Sequence, residues 1–325
     1  MDGRGALTAD RSGRFAAALD VLAPSGQIGI AVSGGPDSLA LLLLANAARP
    51  GQVVAATVDH GLRPEAADEA AMVAALCQAR NIPHSILRVQ VVDDPDGRQA
   101  AARGARYAAL AAWALEYGVP WLATAHHADD QAETVLMRLA RGAGLPGLSG
   151  IRRSRPLGEA PGVTLIRPLL NWTKAELGEL IAEAGVEAAQ DPSNADERYD
   201  RTRARRWLAN GWPEAARVAA SASHLAEAED ALAWAAADLS EARIAVTEDE
   251  ATLDVSGLPR ELRRRLLLAV FGRLVPGVAL RGDSLDRLLQ ALDAQKVATL
   301  SGFRCDPGPI WRVSRAAARR SARRL

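Results

Sequence analysis

Six consecutive residues, Ser33-Gly34-Gly35-Pro36-Asp37-Ser38, have the make-up of a phosphate cradle. Glycine lets backbone N–H groups approach an anion with no Cβ in the way. Ser33 and Ser38 add hydroxyl donors, and Pro36 suits the first turn of a helix. A helix N-terminus behind such a turn adds partial positive charge aimed at the same place. Asp37 would repel a phosphate unless a divalent cation stood between them, so the motif implies Mg²⁺ with Asp37 as a ligand. The GK[ST] ending of a Walker loop is absent.

A second cluster is Asp59-His60-Gly61-Leu62-Arg63. Asp59 can bond a ribose hydroxyl, while His60 and Arg63 can reach phosphate or substrate. A third is His126-His127-Ala128-Asp129-Asp130-Gln131-Ala132-Glu133. His126 and Asp130 are four apart, as are Asp129 and Glu133, so a helix stacks two polar pairs. Such carboxylates can hold Mg²⁺ or do acid–base work. The same residues also admit a zinc site, since both histidines are possible ligands.

The fourth runs from Asp191 to Arg206 and carries five arginines against Asp200 alone between Arg198 and Arg206. On a helix Arg198, Arg201 and Arg205 share a face, which reads as a contact to phosphate backbone. With no acids interleaved at helical spacing, Arg201, Arg203 and Arg205 are expected to meet RNA or substrate phosphate and not to support the fold.

These clusters need elements to hold them. Short apolar runs at 28–32, 53–58, 86–91 and 121–125 read as strands, and 163–169 as a fifth. Between and after them lie helical periodicities at 39–48, 65–80, 98–117 and 129–140, then 173–185. Such alternation predicts a doubly wound α/β parallel sheet, with ligands at the carboxyl ends of the strands. The first three clusters fall at such ends. The Gly/Pro-rich stretch 141–162 reads as a partly mobile functional loop. Beyond Pro213 the pattern turns helical, at 214–236, 258–274 and 284–294, with a short hairpin in 298–313. A boundary near Gly211 therefore divides a catalytic domain, 1–211, from a smaller, mainly helical domain, 212–325.

Composition narrows the classes. The 325 residues carry no net charge, and 24% are charged. Bulk electrostatics thus announces no polyanionic partner. Local basic patches remain: the last fifteen residues hold six arginines and no acid. No apolar run approaches the ~20 residues that span a bilayer, and the N-terminus has no apolar signal core, so a cytoplasmic protein without a membrane partner is expected. Cys77 and Cys305 are far apart and form no CxxC, which argues against a zinc ribbon, a redox pair or an iron–sulfur site. Each reads as a small buried hydrophobe.

SGGPDS resembles the PP-loop of ATP pyrophosphatases. SGGPDS, VDHGLRPEA, RGARY at 103–107, HHADDQAET, RGAGLPGLSG and DPSNADERYDRTRAR, in this order, resemble the tRNA(Ile)-lysidine synthetase family. LPRELRRRLLLAVF and KVATLSGFRC resemble that family's tRNA-binding C-terminal region. Thr202 stands where the family usually has Asn, and the short C-terminal region implies that an extra domain of the larger bacterial form is absent.

The resemblance implies a two-step ligase reaction. The wobble cytidine of the CAU-anticodon isoleucine tRNA is adenylated by ATP, and the amine of free L-lysine then displaces AMP to form lysidine. It implies ATP contacts from Ser33, Gly34, Gly35, Pro36, Asp37, Ser38, Asp59 and His60. Asp37, Asp129, Asp130 and Glu133 are implied as catalytic carboxylates, with Mg²⁺ on Asp37 and Asp130. Substrate contacts are implied for Arg63, Arg106, His126, His127, Asn194, Arg201, Arg203 and Arg205. A second copy of the chain is a candidate partner. A PP-loop tRNA thiolase, an amide-forming PP-loop synthetase and a non-catalytic binder on the same fold are the alternatives.

Overall fold

The computed structural model describes residues 9–61, 65–90, 98–189, 199–278, 280 and 282–316. The chain divides into two compact units, Met1–Ala226 and Glu227–Leu325.

The first unit is built on a six-stranded sheet of order β3-β2-β1-β4-β6-β5. Its strands are β1 (Ile28–Ala31), β2 (Val53–Asp59), β3 (His84–Arg88), β4 (Trp121–Ala123), β5 (Ser154–Pro156) and β6 (Thr164–Ile166). The first four and β6 run parallel; only β5 is antiparallel, against β6. The helices are α1 (Ala9–Leu22), α2 (Pro36–Ala48), α3 (Glu65–Ala79), α4 (Arg98–Glu116), α5 (Ala128–Ala140), α6 (Leu145–Leu148), α7 (Lys174–Glu183) and α8 (Tyr199–Ala209). α9 (Ala215–Arg243) follows, and the division between the units falls within it. The doubly wound sheet expected from strand–helix alternation is present. α1, α6 and β5 have no counterpart among the expected elements.

Both faces of the sheet are covered, which is why its strands are apolar on both sides. One face buries Phe15 and Leu19 of α1, Leu39 through Leu44 of α2 and Leu177 and Leu180 of α7 against Ile28 and Ile30. The other packs Tyr107, Leu110 and Trp113 of α4 against Val54, Leu122 and Leu165. Gly29 makes this second contact possible: a Cβ there would lie 2.7 Å from Trp113 Cζ3.

The stretch expected as a partly mobile loop is instead a folded segment. Its backbone is tied to α5 by side chains. Gln131 Oε1 accepts from Ile151 N at 2.5 Å, and Arg138 Nη1 donates to the carbonyls of Gly147 (2.9 Å) and Gly150 (2.8 Å). Ser149, fully buried, donates to Leu145 O at 2.8 Å and closes α6.

The second unit contains β7 (Ile244–Val246), β8 (Glu250–Asp254), α10 (Arg260–Leu274), α11 (Gly282–Asp293), β9 (Ala298–Leu300), β10 (Phe303–Asp306) and β11 (Ile310–Arg315). The expected hairpin is β10–β11, but it belongs to a five-stranded antiparallel sheet of order β7-β8-β11-β10-β9. Strand alternation sends Leu253, Phe303, Cys305, Trp311 and Val313 into a core with Leu266, Phe271 and Leu289 of the two helices. β7 and β8 have no counterpart among the expected elements: they are three and five residues long, and β8 is largely polar, so their signal is weak. Glu229 and Arg265 form a nearly buried ion pair at 2.6 Å within this unit. Cys77 and Cys305 are free and buried, as expected.

Candidate active site

The strand order reverses between β1 and β4, which are hydrogen-bonded neighbours whose chains then diverge. That switch point is where an open parallel sheet leaves a crevice for ligand. The turn after β1 is Ser33–Gly35 and the turn after β4 is Thr124–His127, so two of the chemistry-bearing clusters meet there.

Gly34 adopts φ +87, which a side chain would resist, and its carbonyl accepts from Ala189 N at 3.0 Å. Gly35 caps α2 without a side chain and Pro36 begins the helix. The first-turn N–H groups thus remain for an external acceptor. Ser38 Oγ accepts from Ser33 N at 3.1 Å and donates to Gly35 O at 2.9 Å, which closes the loop into a ring. The strand-to-helix turn expected at SGGPDS is present.

His127 caps α5 and lies among carboxylates. Its Nε2 is 3.5 Å from both Asp37 Oδ2 and Asp130 Oδ2, and its Nδ1 is 3.5 Å from Asp129 Oδ2. These are charge contacts too loose for aligned hydrogen bonds, and Nδ1 has no hydrogen-bond partner. Burial alone would push the imidazole pKa down, but Asp129, Asp37 and Asp130 outweigh it and hold it at about 10. His126, the next residue, is the opposite. Burial, then the charges of Arg167, Arg103, Arg106 and Arg201, bring its pKa down to about 3. Its Nδ1 lies 3.1 Å from Thr124 Oγ1. The two histidines therefore do not form one ligand set. Among the described residues no group of three or more His, Cys, Asp and Glu is placed to hold a metal ion, so the zinc alternative has no ligand set here.

Asp129 Oδ2 accepts from Lys174 N at 2.8 Å and so caps α7 from 45 residues away. Contact with His127 and this N–H hold its pKa below the usual carboxylate value against the effect of burial. Asp130 Oδ2 accepts from His127 N at 3.1 Å. Its Oδ1 accepts from Arg201 Nη2 at 3.0 Å. Asp37 Oδ1 is buried without a hydrogen-bond partner. An unpaired buried carboxylate oxygen is costly, and a cation is the natural way to satisfy it. The donors present thus fit Mg²⁺ on Asp37, with Asp130 beside it.

Glu133 is buried, and both of its oxygens accept from arginine: Oε2 from Arg201 Nε at 2.6 Å and Oε1 from Arg205 Nε at 2.7 Å. The reading of the α8 arginines as a face without carboxylates is thereby corrected. The acids come from α5, not from α8 itself. Arg203, Arg206 and Trp207 of α8 are exposed, while Ala204 between them in sequence is buried. Asp59 Oδ1 accepts from Gly61 N at 2.9 Å and shapes its own turn. His60 has its pKa lowered by burial and by the nearby Arg106 charge, against Asp59. Arg63 and Asn194 lie outside the described residues. Gln131 was missed as a structural residue; its place inside an acidic helix start hid a clamp on Ile151.

A family model described as a PP-loop domain matches residues 9–211. The tRNA(Ile)-lysidine synthase of Zymomonas mobilis subsp. mobilis is 45% identical over 300 residues, 92% of this chain and 91% of that protein. That of Novosphingobium aromaticivorans is 48% identical over 316 residues, 96% of this chain and 95% of that protein. Among solved structures, the U34-tRNA thiolase NcsA from Methanococcus maripaludis, solved with its 4Fe-4S cluster, superposes with TM-score 0.56 at 20% identity. It covers 67% of this chain and 78% of that one, and shows the fold alone.

Proposed function

The chain belongs to the tRNA(Ile)-lysidine synthases of the PP-loop family, and from that membership we propose that it joins free L-lysine to the wobble cytidine of a CAU-anticodon isoleucine tRNA at the expense of ATP. The observation that carries the site assignment is the meeting of the Ser33–Ser38 ring with the His127–Asp129–Asp130 group at the β1/β4 switch point.

In the first step the cytidine C2 oxygen attacks the α-phosphorus of ATP and pyrophosphate leaves. Attack at phosphorus needs positioned donors more than a protein nucleophile. The N–H groups of the Ser33–Ser38 turn and the first turn of α2 supply them. Asp37 and Asp130 would hold Mg²⁺, which when bound neutralises developing phosphate charge. His127, whose pKa the neighbouring carboxylates raise, lies 3.5 Å from both Asp37 and Asp130 and helps to hold them in place. Asp59 and His60, at the end of β2, are assigned to ATP. Glu133 acts through Arg201 and Arg205, which it anchors beside Asp130.

In the second step the lysine amine attacks the adenylated C2 carbon and AMP leaves with the C2 oxygen. The amine must be uncharged, so a carboxylate takes its proton. Asp129 and Asp130 are the candidates. His126, held neutral, can donate or accept a hydrogen bond without bringing charge to the base. Arg106, Arg203, and Arg63 and Asn194 outside the described residues, complete the proposed substrate contacts. Residues 212–325 are assigned to tRNA binding, and a homodimer remains part of the proposal.

Among the described residues no helix is long and apolar enough to cross a membrane; with the substrate this supports a cytoplasmic enzyme. The thiolase alternative needs reactive cysteines. Burial instead raises Cys77 to about 11 and Cys305 to about 12, so both are protonated thiols near neutrality.

The test is incubation with ATP, Mg²⁺, lysine and bulk tRNA, followed by nucleoside mass spectrometry. Lysidine and equimolar AMP are expected. AMP and pyrophosphate without a lysine-modified nucleoside would sink the assignment.

A further inference from the structure

Three guanidinium groups gather on one aromatic ring near His126. Arg103, Arg106 and Arg155 lie 5.1, 5.6 and 5.5 Å from the centroid of Tyr107. Arg167, 5% exposed, lies close enough to feel Tyr107, Arg155 and Arg103. Arg167 Nη1 donates to Arg152 O at 2.6 Å, while its Nε is buried with no hydrogen-bond partner. Among the described residues no carboxylate forms an ion pair with any of the four.

Like charges this close repel, and burying a guanidinium with an orphaned N–H costs further. The protein elsewhere pairs such groups with acids, as Arg265 with Glu229 and Arg201 with Glu133. Here it supplies four arginines, an aromatic face and nothing negative. The cluster sits at the carboxyl edge of the sheet. Arg167 directly follows β6, whose last residue Ile166 is the partner of Ala123 in β4, just before His126.

We infer that Arg103, Arg155 and Arg167, ranged with Arg106 around Tyr107, form a subsite for backbone phosphates of the tRNA strand that flanks the reacting nucleotide. Charge decides the ligand class. A free amino acid brings one carboxylate and an ammonium that needs an acid, and the cluster has no acid. ATP phosphates already have the cradle after β1. Successive phosphodiesters match several fixed guanidinium groups, which recognise them bidentately. Burial, and then guanidinium neighbours, lower the pKa of Arg106 and Arg167 from the ordinary arginine value, consistent with a site that takes an anion.

This inference rests on the tRNA reading, so its test measures binding apart from catalysis. Arg167→Met is the obvious variant, but it sits in the core and can unfold the chain. Arg103→Ala/Arg155→Ala removes the more accessible pair. Binding of bulk tRNA to the full-length protein is followed by anisotropy from low to moderate salt, without ATP or lysine. The expected result is at least a tenfold loss of affinity near 100 mM salt. The log–log salt slope should fall by about 2, one per lost phosphate contact. Melting temperature and ATP affinity should hold, and Arg155→Lys should recover part of the affinity. Unchanged tRNA affinity and slope overturn the inference, as does a raised lysine KM with tRNA binding intact, which would make this a carboxylate subsite. If wild-type protein binds tRNA but makes no lysidine, the proposed function fails and the subsite still stands or falls on the slope.

Discussion

Arg205 Nε donates to Glu133 Oε1 across 2.7 Å, joining residues 72 apart in sequence, and Arg201 takes the other oxygen of the same buried carboxylate. Glu133 is therefore an anchor for two guanidinium groups before it is anything else. Removing a partner from a buried charge exposes the desolvation cost the pair had offset.

Glu133→Gln should lower both tRNA affinity and melting temperature, because two arginines lose their shared counter-charge. Arg205 is more than a third exposed, so Arg205→Ala should cost less, about 1 kcal/mol, since solvent and Arg201 still screen Glu133. Thermal melts of both single variants and the double variant read the coupling. Strict additivity would show that the pair is not energetically joined.

Asp37→Asn should leave the fold intact, because Asp37 Oδ1 makes no hydrogen bond in the protein. AMP formation should fall by about a hundredfold or more, equivalent to at least roughly 2.7 kcal/mol of barrier. Single-turnover AMP release with a melting control measures both; wild-type turnover in this variant would remove the metal assignment.

Neither cysteine should react in the native protein. Burial raises both thiols, so the reactive thiolate is scarce below about pH 10. A thiol reagent at pH 8 should label no site in the folded chain and two after denaturation. Cys77→Ala with Cys305→Ala should keep specific activity on folded protein; lost product with unchanged stability would bring back the thiolase reading.

Gly29→Ala tests the sheet packing behind the site. The new methyl would meet Trp113 at 2.7 Å, and Trp113 is held by the α4 core. Overpacking of this kind should destabilise the protein by about 1–3 kcal/mol. Denaturant unfolding followed by tryptophan fluorescence reads it, and a neutral effect would mean that α4 can move away from β1.

Much of this protein is legible in its residues because the signals are local. The Ser33–Ser38 turn needs a glycine at positive φ, a proline in the first helical turn and serines to close its ring, all within six residues. Strand–helix alternation follows from buried runs and periodicity, so the parallel sheet and the placement of two clusters at strand ends were readable. Only the tertiary structure decided what lies across from each cluster. His126 and His127 are neighbours in sequence, yet one feels arginines of α4 and Arg167 just after β6 while the other faces Asp37 at the start of α2. The α8 arginines found their acids on α5, Gln131 found a backbone clamp at Ile151, and a weak strand signal at β7 and β8 became part of a five-stranded sheet. Periodicity reports which face of an element is apolar. It carries nothing about which element packs opposite, and the charge a side chain feels is set by that opposite element.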